Sequence, residues 1–148
     1  MKTYEDFHER YPGFGGFLPW MYLNSTKPYP TTDFASRVPA LDNGEMFWAC
    51  VAVYHSWETN YPNDSPFLRD RFAEITWRIM LKNSRKIFFN TTTNKIRAVA
   101  NIKDISLPVE LNTYTNDDNY YLDDPYEGEL FNWMATLFSE KLTGFKKE

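Results

Sequence analysis

Apolar and polar residues follow one another along the chain in patterns that predict three helices. Residues 43–57, NGEMFWACVAVYHSW, are apolar on nearly every side of a helical wheel, which predicts a helix that is buried all round. From residue 64 or 65 to residue 82, apolar and charged residues separate onto two faces, which predicts an amphipathic helix on the outside. A third helix is predicted over residues 125–142, with Asp124 as its N-cap and Pro125 in the first turn.

Two further segments have weaker patterns. Residues 86–102 alternate apolar and polar side chains around a Thr/Asn turn, which predicts a β-hairpin. Residues 101–124 show no strong periodicity, and an irregular segment of that length is usually functional in a compact domain. The first 40 residues are rich in glycine and proline and read as ordered loop with aromatic anchors.

The two apolar helices begin with related sequences, NGEMFWA and EGELFNWMA. Their order, with the amphipathic helix between them, is that of stacked α-hairpins, as in α/α toroids and solenoids. In such stacks the buried helices run parallel and present their N-termini at the same end. We therefore expect Asp42 and Glu127 to lie on one rim of the protein.

Composition narrows the choice of ligand. A chain of 148 residues with 43% hydrophobic residues has the size and core of one globular domain. Aromatic residues reach 18%, which is typical of thick helix layers or of grooves that stack on sugars and bases. The net charge of −4 and the lack of a basic run argue against a nucleic-acid partner, so a neutral ligand is favoured.

The sequence also bears on compartment. No segment is apolar over the length that a membrane span needs, and Cys50 has no second cysteine to pair with. Sequons at Asn24, Asn63 and Asn90 lie in polar, turn-like contexts, which is compatible with a secreted or extracellular glycoprotein.

Four carboxylates surround the start of the third helix in LDDPYEGELF. Glu127 is in register with an apolar stripe, so burial would raise its pKa and suit it to a general acid. The same residue also completes a common helix cap, and the sequence leaves both interpretations open. Asp42 has the same two interpretations, since Asp42 and Glu45 have the spacing of a reciprocal cap.

The remaining candidates carry similar alternatives. Arg37 is either an ordinary surface charge or a rim residue that holds a carboxylate. Five aromatic residues are either core or loop packing residues or sugar platforms; these are Trp20, Trp48, Tyr120, Tyr121 and Tyr126. His8, His55 and Cys50 lack zinc spacing, and no metal site or cofactor motif is predicted.

Three segments, YPGFGGFLPW, SRVPALDNGEMFWACVAVYH and DDPYEGELFNWMA, resemble the endo-β-1,2-glucanases. The resemblance implies that residues 1–148 form a mainly α domain, an incomplete part of an (α/α)6 toroid with a small β-hairpin. It implies hydrolysis of β-glucan, most specifically β-1,2-glucan, by inversion, with Glu127 as general acid and Asp42 as a residue of the catalytic site that binds substrate or tunes the acid. No cofactor is implied, and the general base is expected beyond Glu148.

The resemblance places substrate-binding residues around these acids. The candidates are Arg37, Asn43, Glu45, Trp20, Tyr121 and Tyr126. Two other functions remain open at this point. The chain is alternatively a non-catalytic carbohydrate-binding module, or a helical scaffold that self-associates through the apolar edge of an incomplete toroid.

Overall fold

A computed structural model describes residues 2–22, 28–63, 66–74, 79–122, 128–134 and 137. Helices are its largest elements. They are α1 (Lys2–Arg10), α2 (Leu41–Asn60), α3 (Pro66–Ala73), α4 (Met80–Phe88) and α5, the helical residues 129–134. The expectation of a mainly α protein is confirmed, and closure into a toroid remains a prediction.

Short antiparallel strands connect the helices. β1 (Met21–Tyr22) pairs with β2 (Tyr29–Pro30), and β4 (Phe89–Asn90) pairs with β5 (Lys95–Ile96). A three-stranded sheet has the order β3–β6–β7, formed by Arg37–Pro39, Val99–Ile102 and Tyr114–Asn116. In its register Val38 faces Ala100 and Asn101 faces Thr115. This sheet joins the segment before α2 to the long irregular segment after the hairpin.

The prediction for the first apolar helix is right in position and wrong in burial. α2 covers the predicted range and extends it at both ends, but its buried residues lie on one face. They are Asn43, Gly44, Phe47 and Val51. Val53 remains 49% exposed, so α2 is not buried on every side.

The structure departs further from the prediction at the amphipathic helix. It contains α3 and the start of α4, with residues 75–78 outside the described residues. α4 does not end near Lys82 but continues to Phe88, because Leu81, Ile87 and Phe88 keep its apolar face buried. The predicted hairpin is confirmed at β4 and β5, while its first residues belong to α4.

The core is built largely from phenylalanine rings. Phe17 meets Phe88 edge-on with ring centroids 5.0 Å apart, and Phe88 meets Phe131 at 4.7 Å. These contacts join the N-terminal loop, α4 and α5, and Phe47 of α2 is buried in the same cluster. Much of the high aromatic content therefore fills the interior.

Glycine allows the N-terminal loop to enter this core. Gly15 has φ +60°, and a Cβ there would lie 2.6 Å from Ile87 Cδ1 and 2.7 Å from Val109 Cγ2. Only glycine combines the left-handed backbone with so close an approach. The glycine-rich segment is thus a packed turn in the core.

Candidate functional site

Asn43 attaches the N-terminal loop to the first turn of α2. Its side chain is 1% exposed, and its amide Nδ2 donates to Leu18 O at 2.8 Å and to Pro39 O at 2.6 Å. Its Oδ1 accepts from Leu18 N at 2.8 Å. All of these partners are backbone groups, so Asn43 fixes the loop against the helix and its amide is fully occupied.

The loop so fixed carries Trp20 to the same helix end. Trp20 Nε1 donates to Asp42 Oδ2 at 2.6 Å, while 55% of the tryptophan remains exposed. The ring packs on Phe34 with centroids 4.6 Å apart and planes 30° apart. One indole face is therefore supported by protein, and the residue still presents a large surface to solvent.

The bond to Trp20 replaces the predicted cap at Asp42. α2 begins at Leu41, its N-cap position is Ala40, and no side chain caps it. The reciprocal cap between Asp42 and Glu45 is therefore wrong. Because the helix begins two residues earlier than that cap requires, both carboxylates lie within the first two turns of α2, and both are exposed.

Arg37 holds a carboxylate, one of the two alternatives that the sequence left open. Its Nη2 is hydrogen-bonded and ion-paired to Asp117 Oδ2, and its Nη1 donates to Asp33 O at 3.2 Å. The guanidinium carbon lies 5.4 Å from the centroid of the Phe34 ring. Arg37 thus contacts the same ring that supports Trp20.

Asp117 and Phe34 are the members of this cluster that sequence reasoning missed. Pairing of β3, β6 and β7 brings Asp117 to Arg37, and strands of three or four residues leave too short a pattern to predict. Asn101 Nδ2 is a further partner, 3.4 Å from Asp117 Oδ1.

Tyr121 packs against the hairpin formed by β4 and β5. Its hydroxyl accepts from Asn90 Nδ2 at 3.2 Å, and Lys95 Nζ lies 5.2 Å from its ring centroid. An isolated bridge pairs it with Arg97. The structure therefore gathers Trp20, Arg37, Asp42 and Asn43 into one cluster, whereas the described contacts of Tyr121 are with the hairpin.

Glu127 and Tyr126 lie outside the described residues, but α5 shows how closely the two related helices approach. A Cβ added to Gly44 would lie 2.9 Å from Phe131 N and 3.0 Å from Phe131 Cα. Trp48 Nε1 also donates to Leu130 O at 2.8 Å. The start of α2 thus touches the helix that follows the acidic segment, and a parallel orientation of the two helices stays a prediction.

The described residues contain no group of three or more His, Cys, Asp or Glu side chains placed to hold a metal ion. No helix in this part of the chain combines the length and hydropathy needed to cross a membrane.

Comparison with known proteins identifies the family. The model of the family described as endo-beta-1,2-glucanase SGL matches residues 1–148. The chain belongs to this family. The resemblance seen in the sequence is therefore confirmed. A search of curated proteins finds no match.

Solved structures agree with the family. An endo-β-1,2-glucanase from Talaromyces funiculosus, in complex with sophorose, is 40% identical with a TM-score of 0.86. A mutant of an endo-β-1,2-glucanase from the same organism, in complex with β-1,2-glucan, is 39% identical with a TM-score of 0.79. Each match covers 97% of this chain and 30% of the glucanase chain, so this chain spans less than a third of those proteins.

Proposed function

We propose that the protein hydrolyses β-1,2-glucan and that the cluster at the start of α2 binds a glucosyl unit of it. The observation that carries the proposal is the exposed indole of Trp20 with Nε1 bonded to Asp42 Oδ2. Family membership supports it, as do the relatives' complexes with sophorose and β-1,2-glucan.

The chemistry of this cluster suits a sugar. The C–H faces of a pyranose pack on aromatic rings, and its hydroxyls donate to carboxylates. Trp20 offers an exposed ring, and Asp42 keeps Oδ1 and the remaining lone pairs of Oδ2 for a hydroxyl. In this proposal Arg37, Asn43 and Glu45 support or flank the bound sugar, and Tyr121 and Tyr126 contact units further along the glucan.

The proposed reaction is inverting hydrolysis within an (α/α)6 toroid. Glu127 protonates the leaving glycosidic oxygen, and a second carboxylate, not identified in this chain, activates water on the opposite face of the sugar. Glu127 heads the stripe that contains Phe131 and Met134, both buried in α5. Apolar surroundings of that kind favour the protonated acid.

Two exposed tryptophans give a matched test of the binding surface. Trp20 and Trp133 are 55% and 53% exposed, and only Trp20 is bonded to Asp42. We expect Trp20→Ala to weaken binding of a β-1,2-glucan oligosaccharide about tenfold, the cost of losing one stacked ring and its hydrogen bond. Isothermal titration calorimetry measures this, and Trp133→Ala should bind as the parent does. Equal losses in the two variants would contradict the assignment.

A second matched pair of variants, Glu127→Gln and Glu129→Gln, tests the role of Glu127 as general acid. Loss of a general acid should lower the rate of β-1,2-glucan cleavage by about 10²–10⁴-fold, while the exposed Glu129 should be silent. Circular dichroism establishes that both variants fold. Cleavage by Glu127→Gln at the parent's rate would refute the proposed role of Glu127.

The same assays decide between the alternatives. Oligosaccharide binding without cleavage would favour a non-catalytic carbohydrate-binding module. Neither binding nor cleavage would favour a helical scaffold, for which self-association through exposed Leu130, Trp133 and Leu137 would be the further sign in light scattering.

We further propose that the protein is a secreted glycoprotein. Asn63 is exposed, and Asn90 lies at the end of β4 beside the hairpin turn; Asn24 lies outside the described residues. Sequons at turns are accessible to glycosylation. A loss of mass on enzymatic deglycosylation of the protein from its natural source is the expected result, and an unchanged mass would contradict it.

A further inference from the structure

Asp117 lies at the far end of a chain of contacts that leads to Trp20. It pairs with Arg37 through Oδ2 and accepts from Asn101 Nδ2 through Oδ1. Asn101 Nδ2 also donates to Asn116 O at 3.1 Å, which anchors this corner of the three-stranded sheet. The side chain of Asp117 is only 20% exposed and that of Arg37 34%, so both charges are partly withdrawn from water.

Arg37 connects Asp117 to the aromatic pair of Phe34 and Trp20. Through Nη1 it holds Asp33 O, and its guanidinium packs on the ring of the next residue, Phe34. Phe34 is 8% exposed and packs against the indole of Trp20. A planar guanidinium stacks on a ring and keeps a carboxylate partner at the same time, which a flexible ammonium group does less well.

We propose that Asp117 is a positioning residue of the saccharide surface: through Arg37 and Phe34 it holds Trp20 in the orientation that donates to Asp42. A large exposed side chain that is not held in place loses conformational entropy when the ligand binds, and this loss weakens binding. Fixing the indole beforehand removes that cost. The part of the inference that concerns affinity rests on the proposed function, whereas the part that concerns the order of Trp20 does not.

The order of Trp20 is tested without any sugar. The variant Asp117→Asn keeps the shape of the side chain and removes the charge that pairs with Arg37. We expect the indole Nε1–H of Trp20 to exchange with solvent about fivefold faster, the factor that corresponds to one ordinary hydrogen bond. Nuclear magnetic resonance measures this exchange, and Trp20→Phe assigns the signal.

The neighbouring residue supplies the control. Asp118 has φ +51°, a conformation that asparagine adopts readily, and it is its backbone carbonyl that accepts from Asn116 Nδ2. Asp118→Asn should therefore leave the exchange of Trp20 unchanged. A second variant, Arg37→Lys, keeps a positive charge near Asp117 but loses the planar contact with Phe34, and should accelerate the exchange as well.

A double-mutant cycle with the oligosaccharide separates positioning from general stability. Asp117→Asn should weaken binding about fivefold when Trp20 is present and should have no further effect in a Trp20→Ala background. Parent-like exchange at Trp20 in both Asp117→Asn and Arg37→Lys would overturn the inference. Faster exchange in a protein that binds no oligosaccharide would uphold the positioning role of Asp117 and contradict the proposed function.

Discussion

The two halves of α2 have similarly apolar sequences and different surroundings. In the first half Asn43, Gly44 and Phe47 are buried, with Asn43 bonded to the N-terminal loop and Gly44 against α5. In the second half Val53 is 49% exposed, and an open groove of about 360 Å³ is lined by Val53, Ser56, Trp57 and Tyr61. One helix therefore has a tightly held end and an end with one bare face.

The difference shows what makes the first half suitable for a site. Asn43 is bonded on three sides to backbone, and Gly44 lets Phe131 approach to a distance that excludes a Cβ. Asp42 directly precedes these residues, so its carboxylate lies on a firmly held helix start. Binding sites are held more accurately by packed helix ends than by loose ones.

The largest effect is expected from removal of the Asn43 side chain, which tests how firmly the first half of α2 is held. Asn43→Ala leaves Leu18 N, Leu18 O and Pro39 O without their partner in a buried place. Unsatisfied buried polar groups are costly, so we expect the free energy of unfolding to fall by about 3 kcal/mol. Urea denaturation measures the change.

Asn60 provides the matched control at the other end of α2. Among the described residues its amide bonds to Ser56 of the same helix alone, and the residue is exposed. Asn60→Ala should lower the free energy of unfolding by less than about 0.5 kcal/mol, as surface substitutions usually do. Equal losses at the two ends would show that the two halves are supported alike.

The sequence predicts α2 well and its surroundings poorly. The apolar run from Met46 to Tyr54 identifies a helix whichever neighbours it has, because periodicity is local. Burial depends on partners far along the chain. The bonds of Asn43 to Leu18 and the contact of Gly44 with Phe131 have no local signature.

The residues of the candidate site also differ in how well the sequence predicts them. Asp42 and Trp20 were predicted as site residues because acids at helix starts and aromatic residues in loops are recognisable in a sequence, and the family resemblance supported both. Asp117 was missed as a partner of Arg37, because 80 residues separate them and only the pairing of β3, β6 and β7 brings them together. The cap interpretation of Asp42 was wrong because the helix begins two residues earlier, which places that side chain inside the first turn.

An intermediate test concerns α1, whose Phe7 belongs to the core. In this helix the centroid of the His8 ring lies 4.3 Å from that of Tyr4. Neither ring nitrogen of His8 has a hydrogen-bond partner within the described structure, and desolvation lowers its pKa to about 4. The folded protein therefore holds this histidine neutral.

The sign of the pH dependence follows from that pKa. The unfolded chain protonates His8 near pH 6.5, and the folded chain only near pH 4, so His8's contribution to stability is complete above pH 6.5. It is lost as the pH falls from 6.5 towards 4. Because only the ring nitrogens of His8 are fully buried, we expect the free energy of unfolding to fall by about 2 kcal/mol over this range. Denaturation at pH 7 and pH 4 should show this loss in the parent and a smaller one in His8→Phe. An equal loss in both proteins would exclude His8 as the cause.

The smallest effects are expected from two valines that lie two residues apart on α2. Val51 is 9% exposed and belongs to the core, whereas Val53 is 49% exposed and lines the groove. Val51→Ala removes buried methyl groups and should lower the free energy of unfolding by about 1 kcal/mol, and Val53→Ala by less than about 0.5 kcal/mol. Because the substitution is the same, helix propensity changes equally and the difference reports burial alone. A loss at Val53 as large as that at Val51 would mean that the second half of α2 is covered in solution, which would remove the contrast between the two halves.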